Sequence, residues 1–136
     1  MLYLGIDQHA RQITISLRAE SGDVLQARQV STQPEKVHPF FQQLTRERLP
    51  QGESFVAVLA VCGFNDWLIR MLQEYRCHKV ILIQPEDRKK CKTDRLDAAA
   101  LSELLWVNRD RLLHGKPVRG LRQVDIASSA ARSWSR

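Results

Sequence analysis

The chain has 136 residues, a net charge of +6, and 43% hydrophobic against 26% charged residues, which fits one folded domain able to bury a core. It has no apolar stretch of membrane-spanning length and no charged-then-apolar leader at its start, so a membrane partner is not expected and a cytoplasmic location is. Cys62, Cys77 and Cys91 are an odd number of cysteines without CxxC spacing, which argues for reduced thiols and against a disulfide framework.

Leu2–Asp7 is a short apolar strand ending in an acid, and residues 12–19 alternate strictly. Ile13, Ile15, Leu17 and Ala19 fall on one side, and Gln12, Thr14, Ser16 and Arg18 on a side expected to be wet. The link Gln8-His9-Ala10-Arg11 makes these two an antiparallel hairpin, and the turn Ser21-Gly22-Asp23 adds a third strand, Val24–Val30. The period then changes. Val37, Phe40, Phe41, Leu44 and Arg48 fall three or four apart behind Pro34, a helix that ends before Pro50-Gln51-Gly52. Phe55–Val61 is continuously apolar, as a strand buried on both faces must be. A second helix is expected from about Asn65 to Tyr75, a buried strand over Val80–Ile83 stopped by Pro85, and a third helix from about Thr93 to Val107. Ala98, Leu101, Leu104 and Leu105 would face the sheet.

The order β-β-β-α-β-α-β-α predicts an α/β fold: a mixed five-stranded sheet with flanking helices, the succession of ribonuclease H-like domains. The domain is placed at residues 1–108. Residues 109–136, basic and Ser-rich towards the end, read as a tail or a truncated linker. Charge divides the same way: residues 1–75 hold 7 Lys/Arg against 8 Asp/Glu, and residues 76–136 hold 14 against 7. A near-neutral body followed by a basic stretch suits a polyanion such as DNA or RNA.

Three acids stand out. Asp7 ends the first strand, and Asp94 and Asp97 stand three apart at the start of the third helix. Taken singly, each is explained as a turn or cap residue. The topology joins them: the first and fourth strands lie side by side and parallel, roughly 4.8 Å apart, so Asp7 and Ala60 open onto one edge. Asp94 and Asp97 would share a helical face near that edge. Carboxylates gathered this way repel unless a cation compensates them, and hard oxygen ligands suit Mg²⁺ or Mn²⁺. The run Arg88, Lys89, Lys90 and Lys92, with Arg95, is placed to hold a phosphate backbone beside them. His9 follows Asp7 closely, which leaves an approach to the metal site open, but an exposed loop histidine is the favoured reading; His38, His78 and His114 have no metal-ligand spacing.

The strings Gly5-Ile6-Asp7, Val61-Cys62-Gly63-Phe64-Asn65-Asp66-Trp67-Leu68, Leu82-Ile83-Gln84-Pro85 and Lys92-Thr93-Asp94-Arg95-Leu96-Asp97-Ala98 resemble the N-terminal domain of the DEDD transposases. These are insertion-sequence enzymes of the IS-one-ten type, known as bridge-RNA-guided recombinases. The resemblance spans about residues 2–122. It implies a RuvC-like domain whose four acids bind divalent metal during DNA strand exchange, with Asp7, Asp94 and Asp97 as the first, third and fourth. The second acid of the family is a glutamate, and here its place is taken by Ala60. The resemblance further implies DNA as partner, a guide RNA, homo-oligomers of the full-length protein, and a second catalytic domain beyond this chain's length. Together these lead to a metal-binding transposase domain, inactive alone, with Mg²⁺ or Mn²⁺ held weakly by three acids. The alternative is a non-catalytic remnant that binds DNA or RNA or dimerises. Sugar-kinase and actin-like domains open with a similar strand, but their Gly-rich phosphate loops are absent here.

Overall fold

The computed structural model describes residues 1–49, 53–60, 66–75, 77–85, 97–118 and 121–126. Six strands form one mixed sheet: β1 (Leu2–Gln8), β2 (Gln12–Arg18), β3 (Val24–Ser31), β4 (Phe55–Ala60), β5 (Cys77–Pro85) and β6 (Leu121–Ile126), in the order β3-β2-β1-β4-β5-β6. The meander β1-β2-β3 is antiparallel, β4 runs parallel to β1, and β5 runs parallel to β4. The helices are α1 (Pro34–Arg48), α2 (Asp66–Glu74), α3 (Ala98–Val107) and the short α4 (Arg109–Leu113). No helix among the described residues is long and apolar enough to cross a membrane.

The elements follow from local rules. Helix α1 starts with a proline in its first turn, where the missing N–H costs nothing, and buries Val37, Phe40, Phe41 and Leu44 along one stripe. Strand β4 is buried at five consecutive positions because helices cover both of its faces. On one face Leu4, Ile6, Ile13, Ile15, Ala57 and Leu59 pack with Phe41 of α1 and Leu68 and Leu72 of α2. On the other, Tyr3, Val56, Val58, Ile81 and Ile83 pack with Leu101 and Leu105 of α3 and Leu112 of α4.

Three expectations change. First, the polar side of β2 is wet only in part: Gln12 is exposed, but Ser16 is not. Helix α3 lies across it, so that Ser16 is only 2% exposed and its hydroxyl accepts a hydrogen bond from Ser102 Oγ at 3.0 Å. Second, the domain does not stop at residue 108. The segment read as a tail supplies α4 and β6, and β6 pairs antiparallel with β5 from Pro85↔Leu121 to Val80↔Ile126. Backbone pairing with an otherwise open edge of β5 fixes this strand, and sequence periodicity carries little trace of such pairing. Third, α3 begins at Ala98. Asp97 precedes it in an extended conformation (φ −83°, ψ 178°), so it does not lie in the helix's first turn.

Candidate metal and nucleic-acid site

The candidate site is built on the face of the sheet that α3 covers. Side chains alternate along a strand, so Gly5 and Asp7 share the face of Tyr3. Ala60 likewise shares the face of Val56 and Val58. The last registered pair between β1 and β4 is Ile6↔Leu59, which brings Asp7 and Ala60 next in line, on neighbouring strands.

Gly5 sets the height of the helix above this face. A Cβ there would lie 2.5 Å from the Ala98 carbonyl oxygen and 2.5 Å from the Ser102 nitrogen, closer than side-chain carbons approach backbone. Only glycine admits α3 at this distance. The helix then runs back along the hairpin. Ser102 accepts a hydrogen bond from Arg18 Nε at 3.0 Å, and Trp106 Nε1 donates to the Glu20 carbonyl at 2.9 Å. The Trp106 ring covers Gly22, whose φ of +96° and lack of a side chain leave room for it. Because Ala98 sits over Gly5 and Trp106 over the turn at Gly22, the N-terminus of α3 points towards the Asp7 end of β1. Asp97 is thereby carried to the edge where Asp7 and Ala60 lie.

The acids themselves are engaged. Asp97 is exposed and caps α3, its Oδ1 accepting from the Ala100 N–H at 2.8 Å. The Asp7 side chain is 14% exposed, and its Oδ2 lies 3.1 Å from His9 Nε2. Ala60 is half-buried, pairs with Ile83 and offers no ligand atom. Asp94 and the basic residues Arg88, Lys89, Lys90, Lys92 and Arg95 lie outside the described residues. Among the described residues no group of three or more His, Cys, Asp or Glu side chains is gathered tightly enough to hold a metal ion. The described donors of the acid set are carboxylates with one imidazole, a set that suits a divalent cation.

Two features escape a reading by residue type. His9 is two residues beyond Asp7, and that spacing at a strand end was the available signal for their contact. Gly5 looked like an ordinary strand residue, although glycine inside a strand marks close approach of another backbone. Away from this edge, burial pushes the Cys77 thiol up to about 12, so it stays protonated as a small core residue. His38 Nδ1 lies 3.0 Å from the Tyr75 hydroxyl, a packing contact between α1 and the end of α2.

No protein-family model and no curated protein matches the chain. Among solved structures, one from Thermus thermophilus, described as the RuvC structure, superposes with a TM-score of 0.52 at 14% sequence identity. The match covers 87% of this chain and 100% of that one. At that identity the likeness concerns the fold, and it establishes a RuvC-like, ribonuclease H-like fold for this chain.

Proposed function

We propose that this domain handles nucleic acid as the metal-binding part of a DNA transposase or recombinase, with cleavage impaired because Ala60 stands at the place of an acid. The observation that carries the reading is the position of Asp7 within a RuvC-like fold. It lies at the carboxyl end of the central strand β1, on the face towards which α3 brings Asp97 and next in register to Ala60.

In this reading Asp7, Asp94 and Asp97 hold Mg²⁺ or Mn²⁺, which would polarise a phosphodiester and stabilise the oxygens that attack and leave. Arg88, Lys89, Lys90, Lys92 and Arg95 neutralise phosphates and position the strand. Ala60 withholds one carboxylate, so the full two-ion arrangement is not assembled. A guide RNA, a homo-oligomer and a second catalytic domain belong to the full-length protein in the same reading.

Calorimetry with MgCl₂ on the wild-type chain and on Ala60→Glu is the direct test. The variant is expected to bind roughly tenfold or more tightly, since outer partners of metal sites alone shift affinity by 10–100-fold. Equal and negligible binding by both forms would remove the metal from the proposal. Fluorescence anisotropy with labelled duplex DNA tests the partner: affinity should fall steeply between 50 and 200 mM salt, as phosphate contacts demand. No binding to DNA or RNA at low salt would overturn the nucleic-acid reading.

A second reading, a non-catalytic binding remnant, is favoured by Asp97, whose Oδ1 is occupied in capping α3. It predicts the same salt-dependent binding with no effect of EDTA.

A further inference from the structure

We infer that Thr14 and Gln29, in line with Asp7 across the sheet, form a track that positions the sugar–phosphate backbone of a single DNA strand. The inference deepens the nucleic-acid reading above and rests on it.

The register of the sheet makes the line. Asp7 of β1 pairs with Thr14 of β2, and Thr14 pairs with Gln29 of β3. Directly paired residues share a face, and neighbouring strands lie roughly 4.8 Å apart. The three side chains therefore form a row about 10 Å long, running from Asp7 to the edge of the sheet. The row before it, Gly5, Ser16 and Ala27, is where α3 comes down: Ala98 and Ser102 sit on Gly5, and Ser16 is buried beneath Ser102. One row further on, that cover thins. Thr14 is half-buried, Gln29 is exposed, and the next pair on this face, Gln12 and Ser31, is exposed and half-buried.

The charge of these strands suits a polyanion. No Asp or Glu occurs from Gln8 to Ala19 or from Val24 to Pro34, whereas Arg11, Arg18 and Arg28 do. The hairpin strands are thus the basic part of a half of the chain that is near neutral as a whole. A strand face that meets only solvent is usually dotted with charges of both signs. Here the open positions are Gln12, Thr14, Ala27 and Gln29. Hydroxyl and amide groups of this kind donate to phosphate and sugar oxygens, contacts that fix register without reading bases.

Shape selects a polymer over a small molecule. A small ligand needs a concave pocket, but this row lies on a pleated face and is open at its outer end, because β3 is the edge strand. About three nucleotides, at roughly 3.4 Å each along the axis, span it. The Asp7 carboxylate at the inner end carries the same sign of charge as a phosphate, so the grip lies with Thr14 and Gln29. The competing account is a solvated polar face that meets no ligand.

The test uses the whole chain and a short labelled single-stranded DNA, with RNA of the same sequence alongside, in fluorescence anisotropy. The variants are Thr14→Val, which keeps shape and strand preference, Gln29→Ala, and Gln42→Ala at an exposed position of α1, across the sheet. Unfolding curves confirm that each folds. Thr14→Val and Gln29→Ala should each weaken DNA binding roughly three- to tenfold, as loss of one hydrogen bond does. The dependence of affinity on salt should keep its slope, because neither variant removes a charge that neutralises phosphate. Gln42→Ala should bind as wild type, and DNA should shift the side-chain amide NMR signal of Gln29 but not that of Gln42. Wild-type affinity in both track variants, or an equal loss in Gln42→Ala, overturns the track and leaves the nucleic-acid reading standing. A salt slope that falls along with affinity also overturns it, since the variants would then act through charged contacts elsewhere. Binding and losses confined to RNA overturn the assignment to DNA. If wild type binds neither DNA nor RNA, the nucleic-acid reading fails, and the track with it.

Discussion

The face of the sheet under α1 and α2 and the face under α3 are assembled differently. Under α1 and α2 the contacts are between large apolar side chains, with Phe41 fully buried and ringed by Phe40 at 5.2 Å and Tyr75 at 6.1 Å. Under α3 the helix comes down onto a glycine, and Ser16, Arg18, Ser102, Tyr3 and Glu20 exchange side-chain hydrogen bonds around it. The first face holds the fold together through volume. The second places one helix end at a chosen point, and that point is the acid edge. A face that must position backbone needs small residues and directional bonds more than bulk.

The comparison can be broken first on the apolar face. Phe41→Ala removes a fully buried aromatic and should cost about 3–5 kcal/mol of stability, read as a lowered urea midpoint. The Trp106 indole N–H signal, which reports the bond to the Glu20 carbonyl, should keep its position, because α3 is not displaced. A shift of that signal would mean that the two faces are not separable.

Gly5→Ala acts on the other face with a smaller energy and a larger positional effect. The added carbon would meet the Ala98 carbonyl and the Ser102 nitrogen at 2.5 Å, and these are backbone atoms that yield only if the helix moves. Overpacking of this kind costs about 1–3 kcal/mol. Here the Trp106 signal should shift, and any metal or nucleic-acid binding should fall with it. A stable Gly5→Ala protein with an unmoved Trp106 would show that the helix does not rest on the glycine.

Tyr3 sharpens the contrast through pH. Its hydroxyl donates to Glu20, at 3.1 Å to Oε1 and 3.2 Å to Oε2. Burial first and the Glu20 charge second raise its pKa from 10.0 to about 12. The unfolded chain releases this proton near pH 10 while the folded chain keeps it, so the contribution is complete below pH 10 and lost between 10 and about 12. Unfolding curves should show stability declining across that window, and Tyr3→Phe should flatten the decline. Cys77, raised from 9.0 to about 12 by burial, adds a decline that starts a unit earlier and persists in the variant. An identical alkaline limb in Tyr3→Phe would remove Tyr3 from the account.

The apolar face was the legible one. The stripe Val37, Phe40, Phe41 and Leu44 and the unbroken run Phe55–Leu59 announce a helix and a doubly covered strand by composition alone. The α3 face was harder to read for a physical reason. Alternation in β2 reports polarity, and Ser16 and Arg18 look solvated until a helix from 86 residues later in sequence supplies Ser102 as a partner. Strand β6 was missed on similar grounds, since its place is fixed by backbone pairing with β5. At the edge itself, the sequence put Asp7 at the end of β1 and named Ala60 as its neighbour. It did not foresee that Asp97 caps a helix beginning one residue later, and it favoured an exposed loop position for His9, whose ring instead contacts Asp7.

The smallest expected effect on stability is the one that bears most on function. Asp97→Ala removes the cap of α3 and should cost about 1 kcal/mol. Asp97→Asn should cost almost nothing, because asparagine caps as well as aspartate and loses only a few tenths of a kcal/mol of interaction with the helix dipole. The asparagine variant therefore separates cap from charge. If Asp97 belongs to the metal set, Asp97→Asn keeps the unfolding midpoint of wild type but lowers Mn²⁺ affinity in calorimetry. If its only task is to start α3, metal affinity stays level and the alanine variant alone has a phenotype. In that case Asp7 is the one described member of the acid set left without a capping task, and the non-catalytic reading becomes the stronger one.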